Sequence, residues 1–169
     1  MKVVTINGSF MRGHGVDTSI SMLLKKIHEI NPEIDLEVIC NNENGLVEDG
    51  FPSEITRRII GHDAILGYYS LNVFGLVNGV NNDNGTIIHA HHPLAVWPLI
   101  VKKNKKIMTW HGNNNLCWND PGFGPFYKRI SRRLLLDAST HVMRTLDRVV
   151  TISDYLRNEL INYYMLNKR

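Results

Sequence analysis

The chain has 169 residues, enough for one domain, and its hydrophobic fraction of 43% is sufficient to bury a full core. Its formal charge of +3, from 19 Lys and Arg against 16 Asp and Glu, is smaller than nucleic-acid-binding domains normally carry. Two cysteines are too few for a disulfide framework, and no apolar run approaches the roughly 20 residues of a membrane helix, so we expect a cytoplasmic protein.

Short β-rich runs alternate with helical patterns, which is typical of βαβ units and a parallel sheet covered on both faces. The predicted elements of the first half are a strand over 3–7, a helix over 18–31, a strand over 36–40 and a short helix over 53–60. Asp17 or Thr18 is placed to cap the first of these helices. The stretch 64–80 is ambiguous, and we favour a strand followed by a helix.

In the second half the pattern predicts a strand over 86–90, a helix over 93–103, a strand over 106–110, a long helix over 125–146, a strand over 148–152 and a final helix capped by Ser153. The turn-rich stretch 113–124 predicts a surface loop. We therefore predict an α/β fold: a single Rossmann-like domain with a mainly parallel sheet flanked by helices.

Three features follow predicted strands, at the edge where open parallel sheets bind ligands. The first is Gly13, His14 and Gly15, between the first strand and the first helix. Glycines there allow the backbone to approach a phosphate, and a helix amino terminus favours an anion. The motif is neither G-x-G-x-x-G nor a Walker loop, so a tight strand-to-helix turn without a ligand is an equal alternative.

The second feature is His89, His91 and His92, at the end of the strand over 86–90. Strand alternation places His89 and His91 on one face and His92 on the other. The cluster could bind zinc or line a polar substrate pocket. No Asp or Cys follows at the usual ligand spacing and no H-E-x-x-H is present, so polar histidines are favoured and no metal is assigned.

The third feature is His111 with the amides of Asn113, Asn114 and Asn115, after the strand over 106–110. Imidazole and amide groups suit sugar hydroxyls, and His111 is the strongest candidate because it can donate or accept near neutral pH. The asparagines could equally be turn formers in a loop.

Two basic patches could meet phosphates or anionic lipid, or be solvated helix ends. Their members are Lys102, Lys103, Lys105 and Lys106, and then Lys128, Arg129, Arg132 and Arg133. If the patches bind lipid, we expect weak, salt-sensitive peripheral contact with the inner membrane face.

Three phrases resemble the retaining glycosyltransferases of the GT-B fold, which include bacterial lipopolysaccharide and phosphatidylinositol mannosyltransferases. TIIHAHHPL over 86–94 looks like the family's D-V-I-H-A-H-x-P, and KIMTWHG over 106–112 looks like its P-x-V-x-T-x-H-G. DRVVTISDYLR over 147–157 resembles A-D-x-V-x-x-V-S-x-x-x-R. Their order and spacing are together more specific than any one of them.

The resemblance implies transfer of a sugar from a UDP- or GDP-sugar to a carbohydrate or lipid-linked acceptor hydroxyl, with no obligatory cofactor or metal. It further implies that Gly13 to Gly15 approach the donor diphosphate and that His111 lies near the transferred sugar. By the same resemblance, His89, His91 and the loop over 113–115 face the acceptor. His14 is a departure, because family members often have two adjacent glycines there.

The family continues into a second Rossmann domain that grips the nucleotide, whereas this sequence stops at Arg169. We therefore expect residues 1–169 to be the amino-terminal, acceptor-side domain, with the nucleotide-sugar-binding domain absent and little activity alone. A flavodoxin-like module that binds phosphate or nucleotide by itself is the main alternative. A zinc hydrolase built on His89, His91 and His111 is a further one.

Overall fold

The computed structural model describes residues 1–7, 15–41, 51–61, 73–112 and 137–163. Its strands are β1 (Lys2–Ile6), β2 (Asp35–Cys40), β3 (Thr56–Ile59), β4 (Thr86–Ala90), β5 (Lys105–Trp110) and β6 (Arg148–Thr151). Its helices are α1 (Gly15–Ile30), α2 (Val73–Gly79), α3 (Pro93–Val96), α4 (residues 137–145) and α5 (Asp154–Tyr163), with a 3-10 turn over Trp97–Leu99.

The strands form one six-stranded sheet in the order β3-β2-β1-β4-β5-β6, and every neighbouring pair is parallel. The chain builds outward from β1 through β2 to β3, and then returns to place β4 on the other side of β1. This reversal opens a crevice beyond the carboxyl ends of β1 and β4, where open α/β sheets bind their ligands. The predicted Rossmann-like α/β fold is confirmed.

Alternating side chains of the strands supply two apolar cores, one on each face of the sheet. One core joins strand residues to helices α2, α3, α4 and α5, through Val4, Ile6, Ile88, Ala90, Met108, Trp110, Leu76, Val96, Val142 and Leu160. The other is covered by α1 and contains Ile20, Leu24, Leu36, Val38, Cys40, Phe51 and Ile55. The apolar spacing of α1 therefore packs it on one face, and its amino end points to the carboxyl edge of the sheet.

The predicted helix over 53–60 is wrong, because Thr56–Ile59 form β3 beside β2. A buried charge accounts for the difference. Glu37 on β2 is 1% exposed, and its carboxylate lies 2.8 Å from Lys2 Nζ and 2.8 Å from Arg58 Nη2. Strand geometry brings Arg58 to this carboxylate, and a buried charge left without a partner is strongly destabilising.

The helix predicted over 93–103 is shorter than expected, since α3 ends at Val96 and the chain continues as a 3-10 turn. Pro98 lies in that turn, and its missing N–H and its ring oppose a continuing α-helix. The cap of α5 is confirmed, because Ser153 Oγ accepts a hydrogen bond of 3.3 Å from the Leu156 N–H. The strand predicted within 64–72, the loop over 113–124 and the first part of the helix over 125–146 lie outside the described residues.

Candidate functional site

Polar side chains gather where β1, β4 and β5 end. Asn7 directly follows β1, His91 follows β4 and His111 follows β5, while Asp17 comes from the first turn of α1. The backbone N–H of His91 donates to the Ile6 carbonyl at 3.3 Å, which holds the ends of β1 and β4 side by side. The cluster therefore lies at the crevice created by the reversal of strand order.

The three histidines predicted to share a rim do lie together. His91 Nδ1 is 2.9 Å from His111 Nε2, and His89 Nε2 is 2.8 Å from Thr109 Oγ1. The rings of His89 and His91 have centroids 4.4 Å apart at an angle of 53°. Parallel pairing of β4 with β5 explains the contact, because it carries residues 20 positions apart in sequence to the same edge.

Burial keeps these imidazoles in their neutral form. It lowers the pKa of His89 to about 4 and lowers the pKa of His91 well below its ordinary value, with smaller contributions from the neighbouring histidines. His91 is only 7% exposed. A neutral imidazole donates from one nitrogen and accepts at the other, as a sugar hydroxyl also does through its single oxygen.

His111 is half-buried, and two opposing influences act on its pKa. Burial lowers the pKa, while the negative charge of Asp17 raises it by a smaller amount. Asp17 is itself held in place, because Asn7 Nδ2 donates to Asp17 Oδ1 at 2.8 Å and both residues are buried. Asp17 is thus part of the site, a role that we did not assign to it from the sequence.

The helix boundary explains why Asp17 was missed. α1 begins at Gly15, three residues before the predicted start, so Asp17 lies inside the first turn and is not its cap. The available signal was an acidic residue directly after the glycine turn, where a carboxylate faces the helix amino terminus and the ends of the neighbouring strands.

Gly112 fixes the path of the chain immediately after His111. Its φ is +93°, a left-handed conformation that costs an L-residue strain. A Cβ added there would lie 3.0 Å from Leu156 Cδ2 of α5, which is closer than ordinary packing allows. Glycine therefore allows β5 to end close against α5 while His111 remains at the crevice.

The described residues give the zinc alternative no support. Within these ranges no group of three or more His, Cys, Asp or Glu side chains could hold a metal ion. Moreover, His91 Nδ1 and His111 Nε2 face each other at hydrogen-bond distance and not toward a common centre.

The remaining predicted site residues are only partly described. Gly15 is the first residue of α1, and a Cβ added there would meet no atom of the described residues within 4 Å. Gly13, His14, Asn113, Asn114 and Asn115 lie outside the described residues, and their assignments stay predictions.

The first basic patch lies away from the histidines, at the amino end of β5. Lys102 Nζ donates to the Val77 and Val80 carbonyls, and Lys106 Nζ donates to the Lys102 and Asn104 carbonyls. Both ammonium groups therefore donate hydrogen bonds to backbone carbonyls of this chain. The second patch, over 128–133, lies outside the described residues, so membrane contact stays a prediction. No described helix is long and apolar enough to cross a membrane.

A family model described as Glycosyltransferase Family 4 matches residues 14–169. The match spans the strand ends that carry His89, His91 and His111, together with Asp17 and Gly112. No curated protein matches the chain.

Proposed function

We propose that this chain, which belongs to glycosyltransferase family 4, forms the acceptor-side domain of a retaining enzyme. Such an enzyme moves a sugar from a nucleotide-sugar donor to an acceptor hydroxyl. The observation that carries the proposal is the hydrogen-bonded pair of His91 and His111 at the crevice beyond β4 and β5. This is the edge at which a sheet of this strand order binds ligands.

The chemistry of the cluster fits hydroxyl groups better than charged ligands. Burial favours neutral imidazoles at His89, His91 and His111, and a nitrogen of a neutral ring donates to a hydroxyl or accepts from it according to the tautomer. In this proposal His111 lies near the transferred sugar, while His89 and His91 face the acceptor. Asn113 and Asn114 would add amide contacts to the same side.

The donor diphosphate would lie at the amino end of α1. This helix has 16 residues, and its free backbone N–H groups and dipole favour an anion at that end. Among the described residues no atom lies within 4 Å of a Cβ added to Gly15, and Gly13 and His14 would complete the turn. A UDP- or GDP-sugar supplies the required phosphates, and the rest of the nucleotide grip would come from a second Rossmann domain.

Replacing Gly15 should separate folding from donor binding. We expect Gly15→Ala to raise the free energy of unfolding by about 0.5–1 kcal/mol, because alanine restricts the unfolded chain and its Cβ would meet no atom of the described residues within 4 Å. In the enzyme assembled with its donor-binding domain, the same methyl group would obstruct the diphosphate and raise the donor KM by about tenfold or more.

Urea unfolding and donor saturation curves measure these two effects. Gly85→Ala is the matched control, since Gly85 lies before β4 at the opposite edge and its Cβ would meet only ordinary contacts. We expect it to leave the donor KM unchanged. An unchanged donor KM in Gly15→Ala as well would contradict the proposed diphosphate position.

Binding and transfer by the 169-residue chain test the proposed function itself. In NMR titrations, methyl glycosides of glucose, galactose and mannose should shift the imidazole signals of His91 and His111 for at least one sugar. His28, in the last turn of α1 at the other edge of the sheet, is the internal control. Transfer from UDP- or GDP-sugars by this chain alone should be negligible, because in this proposal a second Rossmann domain supplies the rest of the donor site.

Two results would contradict the proposal. Robust turnover by the 169 residues would show that the donor site does not need a second domain. Tight binding of UDP or GDP, without any response to the glycosides, would instead indicate a flavodoxin-like nucleotide-binding module.

A further inference from the structure

A single hydrogen bond joins His91 to His111, and it restricts what His111 can do. We propose that His91 is a positioning residue which donates its Nδ1–H to His111 Nε2 and so holds His111 in the tautomer that carries its proton on Nδ1. This inference rests on the function proposed above and deepens it, because His111 would then act as a hydrogen-bond donor toward the sugar.

The argument starts from the number of protons in the pair. Both rings are neutral, and the two facing nitrogens are 2.9 Å apart, so one of them must carry the shared proton. If His91 donates, His111 carries its own proton on Nδ1 and His91 Nε2 is bare. If His111 donates, its Nδ1 is bare and His91 Nε2 carries an N–H. The tautomers of the two residues are therefore linked.

The surroundings of His91 favour the first arrangement. His91 Nε2 is buried, and within the described ranges it has no hydrogen-bond partner. In the second arrangement this atom would be a buried N–H without an acceptor. Unpaired buried donors are rarer in proteins than incompletely satisfied buried acceptors, so a bare His91 Nε2 is the less costly state.

Asp17 acts on the pair from the side of His111. The carboxylate of Asp17, fixed by Asn7, acts electrostatically on the His111 ring. Because Nε2 is engaged with His91, Nδ1 is the ring nitrogen that remains for other groups. A ring nitrogen directed toward a negative charge is more stable as an N–H donor than with a bare lone pair.

The consequence for the site is specific. An Nδ1–H can donate to a hydroxyl or to an oxygen on which negative charge develops, which preorganised donors stabilise. It cannot accept a proton from the acceptor hydroxyl. His111 would thus position and stabilise the sugar as a hydrogen-bond donor and would not act as the base.

NMR of the 169-residue chain tests the proposal without any assay of transfer. Long-range ¹H–¹⁵N spectra of histidine-labelled protein at neutral pH identify which ring nitrogen is protonated, because that nitrogen has the lower ¹⁵N shift. We expect protons on His111 Nδ1 and on His91 Nδ1. Protonation of His111 Nε2 in the unmodified chain would overturn the proposal.

Two substitutions of His91 test its part in the effect. His91→Asn keeps an amide N–H near the position of Nδ1, and we expect His111 to retain the Nδ1–H form. His91→Leu removes the donor, and we expect a measurable fraction of His111 to shift to the Nε2–H form. Because both variants lose the ring, a purely packing role for His91 predicts that they give the same spectrum.

The outcomes separate this inference from the function on which it rests. An unchanged His111 tautomer in folded His91→Leu would overturn the positioning role, whether or not glycosides bind. If His91→Leu does not fold, the spectrum of the unmodified chain still decides the tautomer. Failure of every methyl glycoside to shift His91 and His111, with the tautomer as expected, would count against the proposed function alone.

Discussion

Acidification should strongly destabilise this domain, because it buries histidines in their neutral form. Burial lowers the pKa of His89 and of His92 from 6.5 to about 4, and it lowers that of His91 as well. A lowered folded-state pKa means that the unfolded chain binds protons first as the pH falls. The stability that these groups contribute is therefore complete above pH 6.5 and is lost as the pH falls through about 4.

The size of the effect follows from one pKa unit being about 1.4 kcal/mol. His89 and His92 should each remove about 3 kcal/mol of stability by the time the pH reaches their folded pKa values. Together they remove about 6 kcal/mol, which is comparable with the whole stability of an ordinary domain, about 5–15 kcal/mol. We therefore expect partial or complete unfolding between these pH limits.

Urea unfolding at a series of pH values measures this loss. His89→Gln keeps a polar group near Thr109 but cannot titrate, so the variant should lose about 3 kcal/mol less than the original chain over the same range. His141→Gln, on the exposed side of α4, is the control and should leave the profile unchanged. If the free energy of unfolding falls equally with pH in His89→Gln and in the original chain, burial of His89 does not cause the acid sensitivity.

Gly112→Val should destabilise the domain by about 2–4 kcal/mol. A β-branched residue is strained at the φ of +93° found there, and its Cβ would lie 3.0 Å from Leu156 Cδ2. Since Gly112 directly follows His111, relief of this strain should also displace the His111 ring from His91. Urea unfolding gives the stability, and the His111 imidazole signals report the displacement.

Gly112→Asn is the matched control for the backbone part of this effect. Asparagine also adds a Cβ near Leu156, but it tolerates left-handed geometry far better than valine does. We expect the asparagine variant to lose clearly less stability than the valine variant. Equal losses would mean that crowding against Leu156, and not the backbone conformation, makes glycine necessary.

The sequence was most informative where local pattern decides the structure. The short β-rich run over 86–90 has the bounds of β4, and the alternation of side chains along any strand predicts the shared face of His89 and His91. The hydrogen bond between His91 and His111 could not be predicted, because it depends on the pairing of β4 with β5. Hydrophobic patterning identifies strands but not their neighbours.

Two misses have a common physical origin in contacts between distant residues. The residues of β3 were predicted as part of a short helix over 53–60, whereas the ion pair of Arg58 with Glu37 depends on the pairing of β3 with β2. Asp17 or Thr18 was expected to cap α1, a local role, whereas the partner of Asp17, Asn7, follows β1. In both cases the pairing of buried polar groups outweighs the local helix or strand propensity. A single sequence does not show which distant residues will pair.

The buried carboxylate of Glu37 also affects how β3 aligns with β2 at the edge of the sheet. Only four residues form β3, and three of them are exposed, so apolar burial discriminates poorly between alternative alignments with β2. A slip by one residue would turn Arg58 to the opposite face and turn Arg57 toward Glu37. Arg58 would then lose both its contact with Glu37 and the hydrogen bond that its Nη1 donates to the Gly79 carbonyl at 2.8 Å. The loss of this linked pair of contacts would penalise the shifted strand.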